Sequence, residues 1–397
     1  MEFLSDRVRA LSESQTLAMA QKTRELKAAG INVISLSLGE PDFYTPGDIK
    51  EAAKRAIDDN FTKYPPVPGY NDLREAISRK FLEENGLHYT PEQIIVSAGG
   101  KHSLANALLA LVNPGDEVII PAPYWVSYYD QVLLAGGKPV VIKTTLEDDF
   151  KISPAQLENA ITGKTKILIF NSPSNPTGMV YTASEMENIA RVVKKHEGLF
   201  IISDEIYEHI IFAQKHVSMA SFDFIYDRVI TVNGVSKAYA MTGWRIGYLG
   251  APLWIAKACN KLQGQITSGV CTIAQRAALA ALQSKSDSRE KMRLAFLRRR
   301  DLICSLLKEV KGMKVRVPQG AFYVMPDISS YLGKSDGEKI INNSDEFALW
   351  LLEKAKVAVV GGTAFGAPEC IRISYAASDE EITEAVKRIK EALALLR

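Results

Sequence analysis

Between about residues 90 and 250 the chain alternates short apolar runs with stretches of helical periodicity, separated by turns rich in Gly, Pro, Ser or Asn. The runs are IIVS (94–97), EVIIP (117–121), PVVIK (139–143), ILIFN (167–171), LFIIS (199–203), VITVN (229–233) and IGYLG (246–250). Runs this short, with little polar alternation, fit strands buried on both faces of a helix-covered sheet. The helical stretches carry start signals. TASE at 182–185 and SPAQ at 153–156 have the capping-box pattern, the second with Pro just inside the start. Together they predict an α/β fold whose large domain holds a mostly parallel, seven-stranded sheet.

The texture changes after about residue 290. A long charged helical pattern covers 289–310, followed by strand patterns KVRV (314–317), AFYVMP (321–326), VAVV (357–360) and CIRISY (370–375). Helices are predicted over 344–356 and 378–396. This is a smaller α+β piece. The N-terminal segment, with a helix pattern at 16–29 and a strand pattern INVISLSL (31–38), has no partner of its own. The expected division is 1–47 as a segment of the small domain, 48–290 as the large domain and 291–397 as the C-terminal small domain.

Composition narrows the class. Of 397 residues, 47% are hydrophobic and 24% charged, an ordinary globular profile. A formal net charge of +2 argues against nucleic acid as the main partner. No uncharged apolar run approaches the ~18 residues needed to span a bilayer. The opening MEFLSDRVRALSESQ lacks the apolar stretch of an export signal, so a cytoplasmic location is expected. Cys259, Cys271, Cys304 and Cys370 lie far apart and read as reduced thiols, not as a disulfide or zinc framework. No metal is expected.

Ligands of an open parallel sheet gather at the carboxyl ends of its strands. After IIVS comes AGGKHS (98–103), either a plain tight turn or a turn whose backbone N–H groups and helix N-terminus meet an anion. After ILIF comes NSPSNPTG (171–178), presenting Asn171 and Asn175. After LFIIS come Asp204 and Tyr207; a carboxylate there is either a helix cap or needs a cation, for which Lys237 and Arg245 are candidates. After VITVN come Ser236 and Lys237, then Arg245 in TGWRIGY.

An isolated ammonium between two buried strands costs several kcal/mol unless it is paired or neutral. A lysine so placed suits an aldehyde, with which it forms a Schiff base. A phosphate suits the glycine-turn amides, a serine hydroxyl and an arginine fork. Pyridoxal 5′-phosphate carries both groups and a ring nitrogen that a carboxylate such as Asp204 would keep protonated. Asn175 and Tyr207 would hydrogen-bond its ring hydroxyl.

Across nearly its whole length the sequence resembles the class I, fold-type I aminotransferases, with its closest likeness to the bacterial and archaeal aspartate aminotransferase branch. The motifs are LGEPDF (38–43), KYPPVPGYNDLREAI (63–77), SAGGKHSL (97–104), PAPYWVSY (121–128), NSPSNPTG (171–178), SDEIYEH (203–209), SKAYAMTGWRIGY (236–248) and IRISYA (371–376). The resemblance implies that Lys237 is the Schiff-base lysine and the general base for the substrate Cα proton. It implies that Asp204 binds the ring nitrogen and that Asn175 and Tyr207 bind the ring oxygen. Backbone amides of Gly100 and Lys101, with Ser236 and Arg245, would hold the phosphate, and Trp125 would stack on the ring. Tyr64 matches a residue that reaches the phosphate from the other subunit, which implies a homodimer with shared sites.

The same resemblance makes Arg372 the fork for the substrate α-carboxylate, sets Gly39 at the substrate's border and counts Trp125 and Asn175 among the substrate contacts as well. For an acidic side chain, Lys101 is the expected cation, with Ser14 and Thr16 adding hydroxyls; the alternative is that Lys101 only supplements the phosphate site. Some members of this branch that accept prephenate carry a basic residue near the N-terminus where this chain has Ser12, so prephenate is not expected. The activity implied is a ping-pong exchange between L-aspartate and 2-oxoglutarate. The rival readings are a broader or different amino-acid substrate, a β-lyase or synthase on the same fold, and a non-catalytic regulator.

Overall fold

The structure, a computed structural model, describes residues 3–13 and 15–397. Its strands are β1 (Ile34–Ser35), β2 (Ile94–Ser97), β3 (Glu117–Ala122), β4 (Lys138–Lys143), β5 (Thr165–Asn171), β6 (Phe200–Asp204), β7 (Val229–Gly234), β8 (Gly247–Gly250), β9 (Tyr323–Val324), β10 (Val357–Ala358), β11 (Val360–Gly361) and β12 (Ile371–Ser374). The seven apolar runs are the strands of one seven-stranded sheet, ordered β2-β8-β7-β6-β5-β3-β4. Only β8 runs antiparallel to its neighbours, so the other six strands end on the same edge. Every residue of β2, β7 and β8 is buried, as expected for strands covered on both faces.

Two apolar cores sandwich this sheet, one including Phe81, Leu168 and Ile201, the other Leu108, Ile120 and Ile202. Alternate residues along β6 thus enter opposite cores. Both expected capping boxes form. Thr182 starts the helix Ala183–Lys195, its hydroxyl accepting from Glu185 N at 3.2 Å while Glu185 Oε2 accepts from Thr182 N at 2.7 Å. Ser153 and Gln156 do the same before Pro154–Ala160.

A third core gathers side chains from the N-terminal segment (Met19, Val33, Leu36) and from the last hundred residues (Phe296, Phe322, Phe347, Ile373). The helix Gln15–Ala28 and strand β1 belong to it, β1 pairing in parallel with β10. The strand expected at 314–317 does not form. Only Lys314 pairs, with Asp327, and the chain then turns outward so that Arg316 Nε donates to Leu146 O at 3.0 Å. Pro318, which has no N–H to give a ladder, follows at once.

Residues 38–45 link the third core to the loop that follows β7. Arg299, on the helix Ser288–Lys308, makes a bidentate bond to Asp42 at 2.7 and 2.8 Å, while Thr45 Oγ1 donates to Ala240 O at 2.7 Å.

Candidate active site

The loops after β2, β3, β5, β6 and β7 converge on a cavity of about 310 Å³. Asp204, the last residue of β6, enters it with only 5% of its surface exposed. Burial pushes its carboxyl up to about 6, against the opposing pull of a hydroxyl donated by Tyr128 at 2.7 Å and of Ile206 N–H at 3.3 Å. The cation expected beside Asp204 is not in ion-pair contact among the described residues. Tyr128 takes that place, and Lys237 is turned elsewhere.

The Lys237 ammonium donates to the backbone carbonyl of Gly39 at 2.6 Å. Burial lowers its pKa to about 8, with Arg245 and Arg372 pushing the same way and Glu40 and Asp204 opposing. The ammonium expected to be costly in this loop is therefore still mostly charged near pH 7, held by the Gly39 carbonyl, but gives up its proton far more readily than an ordinary lysine.

Gly99 (φ 84°) is the N-cap of the helix Gly100–Leu111, and a side chain there would overlap the Arg245 guanidinium. A Cβ at Gly247 would likewise meet the Gly100 backbone, so this close approach requires glycine. Arg245 adopts a left-handed φ of 57°, a strain of about 1–3 kcal/mol for a non-glycine residue. Its fork donates to Thr242 O at 2.8 Å and Ala98 O at 3.3 Å, which aims it across the glycine turn. Gly100, Lys101, Ser236 and Arg245 line this end of the cavity. Lys101 Nζ sits 4.9 Å from the Trp125 ring centroid, and burial, then Arg245, lowers its pKa.

Across the cavity, Arg372 on β12 is 1% exposed. Its Nη1 donates to Asn175 Oδ1 at 3.1 Å and its Nη2 to Ser37 O at 2.6 Å, while Nε is buried without a partner among the described residues. The guanidinium lies 4.7 Å from the Tyr323 ring and 5.0 Å from Phe365. Tyr207 and Tyr323 share a hydrogen bond at 2.8 Å, and burial raises the Tyr207 phenol well above its usual range. A side chain at Gly39 would come within 2.7 Å of the Tyr323 hydroxyl. Thr16 also lines the cavity, its hydroxyl buried without a partner among the described residues.

Of the residues expected to bind cofactor or substrate, Tyr64 alone stands outside this cavity among those described, 96% exposed; Ser14 lies outside the described residues. Tyr128, Tyr323, Glu40 and Thr242 belong to the lining and were not singled out. Tyr128 had a signal, since it follows Trp125 by three positions in PAPYWVSY, one helical turn on. Tyr323 had none, because AFYVMP lies more than a hundred residues away from Tyr207.

The profile of the family "Aminotransferase class I and II" matches residues 31–389. The chain belongs to that family. The aminotransferase is 52% identical to an aspartate/prephenate aminotransferase of Cereibacter sphaeroides, the alignment covering 98% of each chain. It is 49% identical to a bifunctional aspartate aminotransferase and glutamate/aspartate-prephenate aminotransferase of Petunia hybrida, over 99% of this chain and 83% of the relative. Among solved structures, an aspartate aminotransferase from Rhizobium meliloti superposes with a TM-score of 0.95 at 42% identity, covering 99% of both chains. The Thermus thermophilus aspartate aminotransferase with maleate gives 0.93 at 43% identity, over 99% of this chain and 100% of that one. The aminotransferase has the fold-type I architecture and is pyridoxal 5′-phosphate-dependent. Among the described residues no helix is long and apolar enough to cross a membrane.

Proposed function

We propose that the aminotransferase moves the amino group of L-aspartate to 2-oxoglutarate, and that the cavity between Asp204, Lys237 and Arg372 is where it does so. The observation that carries this reading is Arg372, a guanidinium buried without a carboxylate partner among the described residues and facing the cavity. Its fork matches the α-carboxylate common to every amino and 2-oxo acid substrate.

The donor set fits the cofactor. The glycine turn and helix start, Ser236 and Arg245 offer amides, a hydroxyl and a cation to a phosphate. Asp204, raised to about 6 by burial, would ionise fully against a protonated ring nitrogen. Asn175 and Tyr207 would hold the ring oxygen, and Trp125 would lie against the ring. When bound, pyridoxal phosphate supplies the electron sink that makes the substrate Cα proton removable. Lys237 supplies the amine that holds the cofactor and then the base that moves that proton, for which a pKa of about 8 is suited.

Lys101, kept over Trp125, would receive the second carboxylate of an acidic substrate, with Thr16 adding a hydroxyl and Gly39 forming the border beside it. Maleate, named with the Thermus relative, is itself a dicarboxylate. In this reading Tyr64, fully presented to solvent, completes the site of a second copy in a homodimer, and residues 1–47 with 291–397 act as a small domain against 48–290. A cytoplasmic location goes with it. The name of the Cereibacter relative supports a wider reading in which prephenate is also taken, against the expectation drawn from Ser12.

Following oxaloacetate from aspartate and 2-oxoglutarate tests the main reading. Lys237→Ala is expected to abolish turnover and the cofactor's lysine-bound absorbance band; retention of either would refute the lysine's role. Prephenate as acceptor in the same assay decides the wider one.

A further inference from the structure

The turn 204–208 has two faces. Asp204 and Tyr207 look into the cavity, while Glu205 and Glu208 lie on the other side, both buried. Buried carboxylates are costly unless every lone pair is used, and here each is heavily hydrogen-bonded. Glu205 accepts from Ser203 and Ser218, both at 2.8 Å, from Met219 N at 3.2 Å and from His216 at 2.9 Å.

Glu208 joins three separate elements. It accepts from Lys80 and, at 2.9 Å, from Asn85, both on the helix Asn71–Asn85. It also accepts from Asn233 Nδ2 at 2.7 Å, and Asn233 Oδ1 in turn accepts from Gly234 N at 2.7 Å. Gly234 ends β7, three residues before Lys237. Although burial opposes it, the charge of Lys80, helped by His209 and His216, holds the Glu208 carboxyl well below the usual range. One anion thus ties the segment bearing Asp204 and Tyr207 to the end of the strand that leads to Lys237.

We propose that Glu208 is a positioning residue that fixes, through Asn233, the spacing between Asp204 and Lys237, the two ends of the space a rigid ring must fill. The inference rests on the roles proposed above for those two residues. The ion pair with Lys80 keeps the anion in place; the bond to Asn233 transmits the position. Small misplacements of reacting groups cost large factors in rate.

Two double variants separate charge from position. Lys80→Met/Glu208→Leu replaces the buried pair with apolar side chains and deletes the acceptor for Asn233. Lys80→Met/Glu208→Gln removes both charges but keeps an acceptor for Asn233. Pyridoxal phosphate is titrated onto the stripped full-length protein by absorbance, beside kcat and KM for aspartate. The leucine pair is expected to weaken cofactor binding and lower kcat by about tenfold or more, with KM little changed, and the glutamine pair to stay within about threefold of the parent. Parent-like behaviour of the leucine pair, or equal damage in both pairs, would overturn the proposal. If the leucine pair does not fold, Asn233→Ala breaks the same link from the other side. It is expected to show the same weakened cofactor binding, and unchanged binding would overturn the proposal equally. The failure of the underlying roles is a different result: Lys237→Ala would then turn over normally while the Glu208 variants still bound cofactor weakly.

Discussion

Arg372 Nη1 and Asn175 Oδ1 meet at 3.1 Å across the cavity, joining β12 of the small C-terminal sheet to the turn after β5 of the large one. Two residues nearly two hundred positions apart, both expected from the sequence at the substrate, therefore also act on one another. The bond orients the guanidinium, with its Nε left without a partner among the described residues.

Replacing Arg372 with Lys keeps the charge and removes the fork. At about 1.5–3 kcal/mol for a hydrogen bond to a charged group, kcat/KM should fall roughly 10- to 100-fold. The loss should be similar for aspartate and 2-oxoglutarate, because both present the same carboxylate. Steady-state kinetics in both directions check this.

Lys101→Ser separates substrate recognition from phosphate holding. The expected result is a kcat/KM for aspartate reduced about tenfold or more, with that for an apolar amino acid such as alanine little changed. Equal loss for both would place the lysine with the phosphate instead.

Asp204→Asn should exchange function for stability in the cofactor-free protein. The folded pKa of Asp204 is raised from 3.8 to about 6, so the fold disfavours its charged form. That penalty is complete above about pH 6 and is relieved as pH falls toward 3.8, because the folded state then takes up the proton first. The asparagine variant is therefore expected to be more stable than the parent at pH 7–8, by on the order of 3 kcal/mol at most. The advantage should vanish near pH 4, and turnover should be lost at every pH. Urea unfolding of both proteins across that range measures it.

Tyr64 gives a test of assembly. If it serves a partner's site, Tyr64→Ala and Lys237→Ala proteins, each impaired alone, should regain turnover when dissociated and reassociated together. Some mixed dimers would then carry one intact site. A mixture no more active than its parts would leave Tyr64 without that role.

The large sheet was legible because its strands are short, mostly apolar runs, and five of them are followed by loops that reach the cavity, so strand and candidate site came from the same pattern. Asp204, Ser236 and Lys237 needed no partner in sequence to be noticed. The contacts that decide their state were not legible. Tyr128 displaced the expected cation at Asp204 because a buried hydroxyl satisfies a carboxylate without the desolvation of a second charge. Tyr323 reaches the cavity only because the small C-terminal sheet folds against Tyr207. The failed strand at 314–317 has the right alternation, but the pairing partner runs out after Lys314.

The bond from Lys237 to the Gly39 carbonyl links the amine to more than the large sheet that carries it. The carbonyl sits on a segment held to the third core through Asp42 and Arg299, so the amine is stowed against backbone rather than left in open water. Any movement of that core would therefore be felt at the amine through the same short strap.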